Sequence, residues 1–213
     1  MKKLTNRRLP KISHKYKICI ICEGNEEYYY LNRLISLKVW ANKYEFKLVN
    51  AGGNGNIVAR YQNSYQNDSF ELVLVFCDTE RKPHEQYKDI KRKINYFHGV
   101  ETASEEVIIF GNPCTLQIVI KHWSDECLKS PAKAVNVFLI KKYTSVENYK
   151  GRLDQIEELM KHIDLNNYLD MRKRVLTMEQ NDSVIGSSNF GRFIRLFERD
   201  DPIWIEEINK RLE

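Results

Sequence analysis

Three acids in this 213-residue chain stand where strands end. Glu23 closes the apolar run Lys17–Cys22, Asp78 closes the run Leu72–Cys77, and Glu80 follows two residues later. Glu27 lies one helical turn past Glu23, and Asn112 sits just beyond a third apolar run, Val107–Phe110. In open parallel sheets ligands bind outside the carboxyl ends of the strands, so these side chains are expected to share one edge. Carboxylates about 4 Å apart repel by roughly 1 kcal/mol per pair in water and about 4 kcal/mol at a protein-like dielectric. A cation offsets that repulsion, and oxygen ligands without His or Cys select Mg²⁺ or Mn²⁺. Such an ion also takes phosphate oxygens and can activate a water molecule. Any one of these acids alone would read as a helix cap or the partner of a surface lysine. Two strand ends together point to a metal site.

The elements that must position them follow from hydrophobic pattern. Lys17–Cys22 and Leu72–Cys77 are nearly continuous apolar runs, as strands buried on both faces are. Glu45–Asn50 alternates as another strand, and Val107–Phe110 is a fourth. Between them the spacing predicts helices from Asn25, as cap, to about Lys38, from Ile57 to about Gln66, and from Pro83 to about Phe97. Pro113 is expected to open a helix through Trp123. Strand and helix in alternation imply an α/β fold with a mostly parallel sheet. From about Glu126 the pattern is helical only. Leu153, Ile156, Met160 and Ile163 form one stripe, and Asp201-Pro202 starts a helix that turns Trp204, Ile205, Ile208 and Leu212 inward. The expected organisation is a basic arm over 1–16, an α/β domain over 17–125, and a helical C-terminal extension over 126–213 packed on it.

The net charge of +5 is concentrated at one end. Residues 1–22 hold Lys2, Lys3, Arg7, Arg8, Lys11, Lys15 and Lys17 but no acid. Such an arm suits a polyanion through counterion release, with Lys11 and Lys15 as candidate phosphate contacts; the plain alternative is a solvated terminus. Cys19 and Cys22 form a CxxC, but residues three apart in a strand point to opposite faces, which disfavours zinc or redox use. No apolar run approaches the roughly 18 residues of a membrane span; with no signal-peptide pattern, a reducing cytoplasm is expected. The glycines at 52, 53 and 55 could present amides to a phosphate, but the P-loop Lys-Ser/Thr is missing, and an ordinary turn is the simpler reading.

Ile20-Ile21-Cys22-Glu23-Gly24-Asn25-Glu26-Glu27, followed by Tyr30-Leu31, resembles the opening motif of RloB-like proteins, a branch of the Toprim superfamily related to OLD-family nucleases. Leu74–Glu80 is similar to the Toprim DxD strand, and Gly111-Asn112-Pro113-Cys114 with His122-Trp123 is similar to the branch's third motif. The resemblance covers roughly residues 17–125, with the motifs in order. It implies a Toprim-type sheet flanked by helices, with Glu23 as metal ligand and general acid or base. It also implies Asp78 as metal ligand, Glu27 as a second acid of the opening motif, and a substrate or phosphate contact at His122. Two positions depart from the pattern. Glu80 is one methylene longer than the usual second Asp, and Leu116 stands where the third motif usually has an acid.

The function implied is a Mg²⁺- or Mn²⁺-dependent endonuclease cutting DNA or RNA, an effector of antiphage defence (abortive infection) acting with an ABC- or AAA-type ATPase partner. The chain has no Walker A sequence, so nucleotide hydrolysis would belong to the partner. Phe190, Phe193, Phe197, Trp204 and Ile205 would either dock that partner or cover the sheet. The alternatives are a catalytically degenerate Toprim module that binds nucleic acid or protein without cleavage, and a flavodoxin-like nucleotide-binding domain using Gly52–Gly55. The sequence leaves DNA versus RNA and the oligomeric state open.

Overall fold

The computed structural model describes residues 15–67 and 69–213. Lys11 and most of the basic arm lie outside them. Four strands form one sheet: β1 (Tyr16–Cys22), β2 (Tyr44–Asn50), β3 (Leu72–Asp78) and β4 (Ile108–Gly111). Their order is β2-β1-β3-β4, and every pairing is parallel. The protein is therefore α/β, with helices flanking a parallel sheet. Ile20 pairs with Leu48 on one side and Leu74 on the other, and the segment from Ile18 to Cys22 is wholly buried. A central strand covered on both faces needs apolar residues at consecutive positions, as β1 and β3 have. Each such Ile or Val contributes about 1.5–3 kcal/mol through burial.

The crossovers are α1 (Asn25–Ser36), α2 (Asn54–Asn67), α3 (Glu85–His98) and a short α4 (Ala103–Val107) that the pattern did not predict. Five expected helix starts move: α2 begins at Asn54 rather than Ile57, and the last helix at Ile203 with Pro202 as its cap. Asn25 is the first helical residue and Gly24 the cap, so Asn25 spends its side chain accepting from Asn50 Nδ2 at 2.7 Å. Pro83 and Pro113 each follow a cis peptide bond and lie in turns. Their helices begin at Glu85 and at Leu116, the second being only α5 (Leu116–Val119) with one 3-10 turn, Ile120–His122.

The extension contributes α6 (Lys133–Tyr143), α7 (Leu153–Lys161), α8 (Leu165–Val175), α9 (Phe190–Phe197) and α10 (Ile203–Leu212). It shares one core with the sheet. Phe190 stacks on Phe76 at 5.8 Å, and Phe197 meets Trp40, Phe46 and Trp204. Ile156, Met160 and Ile163 turn inward as expected, whereas Leu153 faces solvent. Phe190, Phe193, Phe197, Trp204 and Ile205 are all core, so they offer no surface to a partner. The segment before α9 also protects the exposed edge of β4. Asn189 accepts from the Phe110 amide and donates to the Ile108 carbonyl, and Ser188 Oγ donates to the Phe110 carbonyl. Covering an edge strand removes a template for unwanted pairing. Among the described residues, no helix is long and apolar enough to cross a membrane.

Candidate metal centre

β1 and β3 run side by side, with Cys22 opposite Phe76. Both therefore end at the same edge, and the first polar residues after them meet there. Oxygens of Glu23, Asp78 and Glu80 lie within 4.8 Å of one another, and so do those of Glu26, Glu27 and Asp78. Asp78 belongs to both sets. All five acids line one cleft of ≈ 250 Å³, together with Gly53, Cys114, Lys133 and Gly151.

Each principal acid is anchored by a hydrogen bond. Glu23 Oε2 accepts from the Asp78 amide at 2.9 Å, which ties the end of β1 to the end of β3. Glu27 is 3% exposed and Oε2 accepts from the Gly24 amide at 2.8 Å, so it caps its own helix from the third position. Asp78 Oδ1 accepts from both the backbone amide and the hydroxyl of Thr115, at 2.7 and 2.9 Å. The Asn54 amide, at the start of α2, lies 2.8 and 2.9 Å from the two Glu23 oxygens and donates to them with its nitrogen turned inward. Glu80 takes a left-handed backbone, φ 62, with its amide donating to the Pro113 carbonyl. That conformation costs a non-glycine residue about 1–3 kcal/mol and is typical of functional sites.

The electrostatics are those of a crowded anionic pocket. Burial, then the neighbouring Glu27, pushes Glu23 up to about 8; the Asp78 amide opposes the rise. Glu27 is raised by burial and by Glu26, and Asp78 by burial, Glu27 and Glu23. The donor set fits a hard divalent ion. Ligands at about 2.1 Å from an ion are about 4.2 Å apart across it and about 3 Å apart when adjacent, so oxygens already within 4.8 Å of one another would draw together on binding. All donors are carboxylate oxygens, which select Mg²⁺ or Mn²⁺.

A lysine from the extension enters the same cleft. Lys133 Nζ pairs with Glu26 Oε1, which also accepts from the Tyr149 hydroxyl at 2.7 Å. Burial lowers the affinity of Lys133 for its proton, but Glu26 beside it leaves the ammonium raised overall. Sequence spacing missed Glu26, Asn54, Thr115, Lys133 and Tyr149. Glu26 is adjacent to Glu27 on a helix, where neighbours point about 100° apart. Lys133 and Tyr149 come from a region legible only as helical.

Other expected contacts lie elsewhere. Lys15 precedes β1 at its amino end, with Nζ donating to Asn42 Oδ1. A full strand, roughly 20 Å, separates it from Glu23, so it cannot touch a phosphate held at the acids. Asn112 is buried; its Nδ2 donates to the Asp182 carbonyl at 2.7 Å, and its amide to the Ser187 carbonyl. Its role is to hold the 182–188 segment. In the glycine turn, the Gly52 amide donates to Asn50 Oδ1 and the Gly53 amide to the Glu23 carbonyl. Both glycines have positive φ, and the turn spends those amides internally rather than on a phosphate.

His122 is 1% exposed, with Nδ1 2.8 Å from Asn167 Oδ1 and Nε2 3.2 Å from the Tyr30 hydroxyl. Burial holds it down at about 4, so it is neutral and engaged on both sides. It joins α1 to α8 and is not a substrate contact. His122→Ala is expected to lower stability by about 2–4 kcal/mol, from the cavity and the orphaned Tyr30 hydroxyl. Manganese affinity, read by calorimetry, should stay unchanged. A loss of affinity in a folded variant would place His122 in the site after all.

Comparison of the chain with known families, with curated proteins and with solved structures finds no match.

Proposed function

We propose that this chain is a Toprim-type endonuclease that hydrolyses nucleic-acid phosphodiesters with Mg²⁺ or Mn²⁺. The observation that carries the reading is the convergence of Glu23, Asp78 and Glu80 within 4.8 Å at the carboxyl edge of a parallel sheet. Glu23, Asp78 and Glu80 would hold the ion, with Glu27 beside them. When bound, the ion would stabilise charge on a phosphodiester and make a water molecule more acidic. Thr115 fixes Asp78, and Asn54 and the Asp78 amide fix Glu23, so these groups need little reorganisation when a ligand arrives. DNA and RNA both remain within this proposal, as do a defence role and an ATPase partner.

The test is incubation of purified protein with plasmid, single-stranded DNA and total tRNA, in Mn²⁺ or EDTA. Cleavage of at least one substrate is expected in Mn²⁺ only, with Glu23→Ala slowed at least about 100-fold, as for loss of an acid–base group. Cleavage by Glu23→Ala at the wild-type rate would place the chemistry elsewhere.

A second reading, a module that binds without cutting, rests on Leu116. That side chain is 3% exposed and part of the core, so the usual acid of the third motif has no substitute at that position. Metal binding and nucleic-acid binding without cleavage of any of the three substrates would favour it.

A further inference from the structure

Building on the metal-site reading, we infer that Lys133 serves as the centre's built-in second cation, so that the cleft takes one divalent ion rather than two. The two acid sets share Asp78, an arrangement that would suit a pair of ions. The sets differ in what already occupies them. In the set of Glu23, Asp78 and Glu80, no ammonium or guanidinium pairs with any member among the described residues. In the other set, Glu26 is 7% exposed, and one of its oxygens takes both the Lys133 ammonium and the Tyr149 hydroxyl. Glu27 is committed to the Gly24 amide, and Asp78 Oδ1 to Thr115. Glu26 Oε1 is thereby saturated and its charge already met by the ammonium, which a second ion at that set would have to displace.

The lysine's place is built rather than incidental. Gly151 packs directly against it: a Cβ there would lie 2.7 Å from Lys133 Nζ and 3.0 Å from Glu26 Oε1. Gly151 also has φ +73, a backbone conformation that side chains rarely adopt. Tyr149 adds its ring face, 5.9 Å from Nζ. A compact ammonium on a flexible stem can stand in for a hard cation among carboxylates without needing a full coordination shell. Extension and sheet thereby meet at the site, with Lys133 as a positioning residue for the acids.

The experiment counts Mn²⁺ bound per chain at about pH 8, by calorimetry and by the resonance signal of unbound Mn²⁺. Wild type is expected to bind one ion and Lys133→Met two, because Glu26 is released and the stem volume is kept. Lys133→Arg, which keeps the charge, should return to one. Gly151→Ala, which displaces the ammonium without removing it, should admit a second, weaker ion, and serves if Lys133→Met fails to fold. Two ions on wild type, or one ion on both Lys133→Met and Gly151→Ala, would overturn the inference while leaving the metal site intact. No ion on wild type would overturn the metal-site reading itself, and this inference with it.

Discussion

Protein stripped of metal is expected to melt at a lower temperature at about pH 9 than at about pH 6.5, and saturating Mn²⁺ is expected to remove the acids' share of that loss. Glu23 is raised from 4.5 to about 8, and Glu27 and Asp78 move in the same direction. A carboxyl whose folded pKa is raised contributes stability that is fully present below its unfolded value and lost as pH rises through the folded value. For Glu23 that window runs from about 4.5 to about 8. The three acids share their protons, so the loss belongs to the cluster. His122 works with the opposite sign: it is lowered from 6.5 to about 4, and its contribution is complete above 6.5. From pH 6.5 to about 8 the acids therefore dominate; towards pH 9 the buried thiols of Cys22, Cys77 and Cys114, raised by burial, add a loss of the same sign that Mn²⁺ leaves in place.

Glu23→Gln removes one charge yet keeps an acceptor for the Asp78 amide. In EDTA at high pH it should be more stable than wild type by on the order of 3 kcal/mol, or roughly 6–12 °C for a chain of this size. It should also lose most of the Mn²⁺-induced rise. Equal melting of wild type at both pH values, with no response to Mn²⁺, would mean that the acids neither repel nor bind an ion.

Leu116→Glu is expected to be the most destabilising of the single changes considered, by several kcal/mol. Leu116 opens α5 one residue after Thr115 holds Asp78, yet its own side chain lies in the core. A glutamate there would be buried without a partner, and the neighbouring Gln117 is already occupied with the Leu128 amide and the Glu126 carbonyl. Melting curves with EDTA and with saturating Mn²⁺ should show the same drop. If 116 instead faced the ion, the glutamate would add a ligand, favour Mg²⁺, and recover much of its loss in metal. Recovery of that kind would reinstate a missing-ligand account and remove Leu116 from the core.

Parallel strands and their ends were legible because a strand buried on both faces must be apolar at successive positions, and such runs stop abruptly at their first polar residue. The β1 run stops at Glu23, and β3 ends on Asp78 itself. Local pattern was also enough for the stripe Ile156, Met160, Ile163 and for the inward face of α10. It failed where two chemistries fit one residue type. Asn112 and His122 are polar residues near the expected edge, and spacing cannot distinguish a side chain aimed at a ligand from one satisfying a buried partner. Here Asp182, Asn167 and Tyr30, all distant in sequence, decided the matter. Pro113 likewise suited a helix start, but the helix begins at Leu116.

The sequence alone thus determined the α/β layering and which acids end which strands, since both follow from hydrophobic runs a few residues long. Only the tertiary structure decided that Glu26 joins the acids, that Thr115 and Asn54 hold them, and that Lys133 stands among them. Lys133 is 107 residues from Glu26. A contact across that distance is set by how the extension packs on the sheet, and no local periodicity records it.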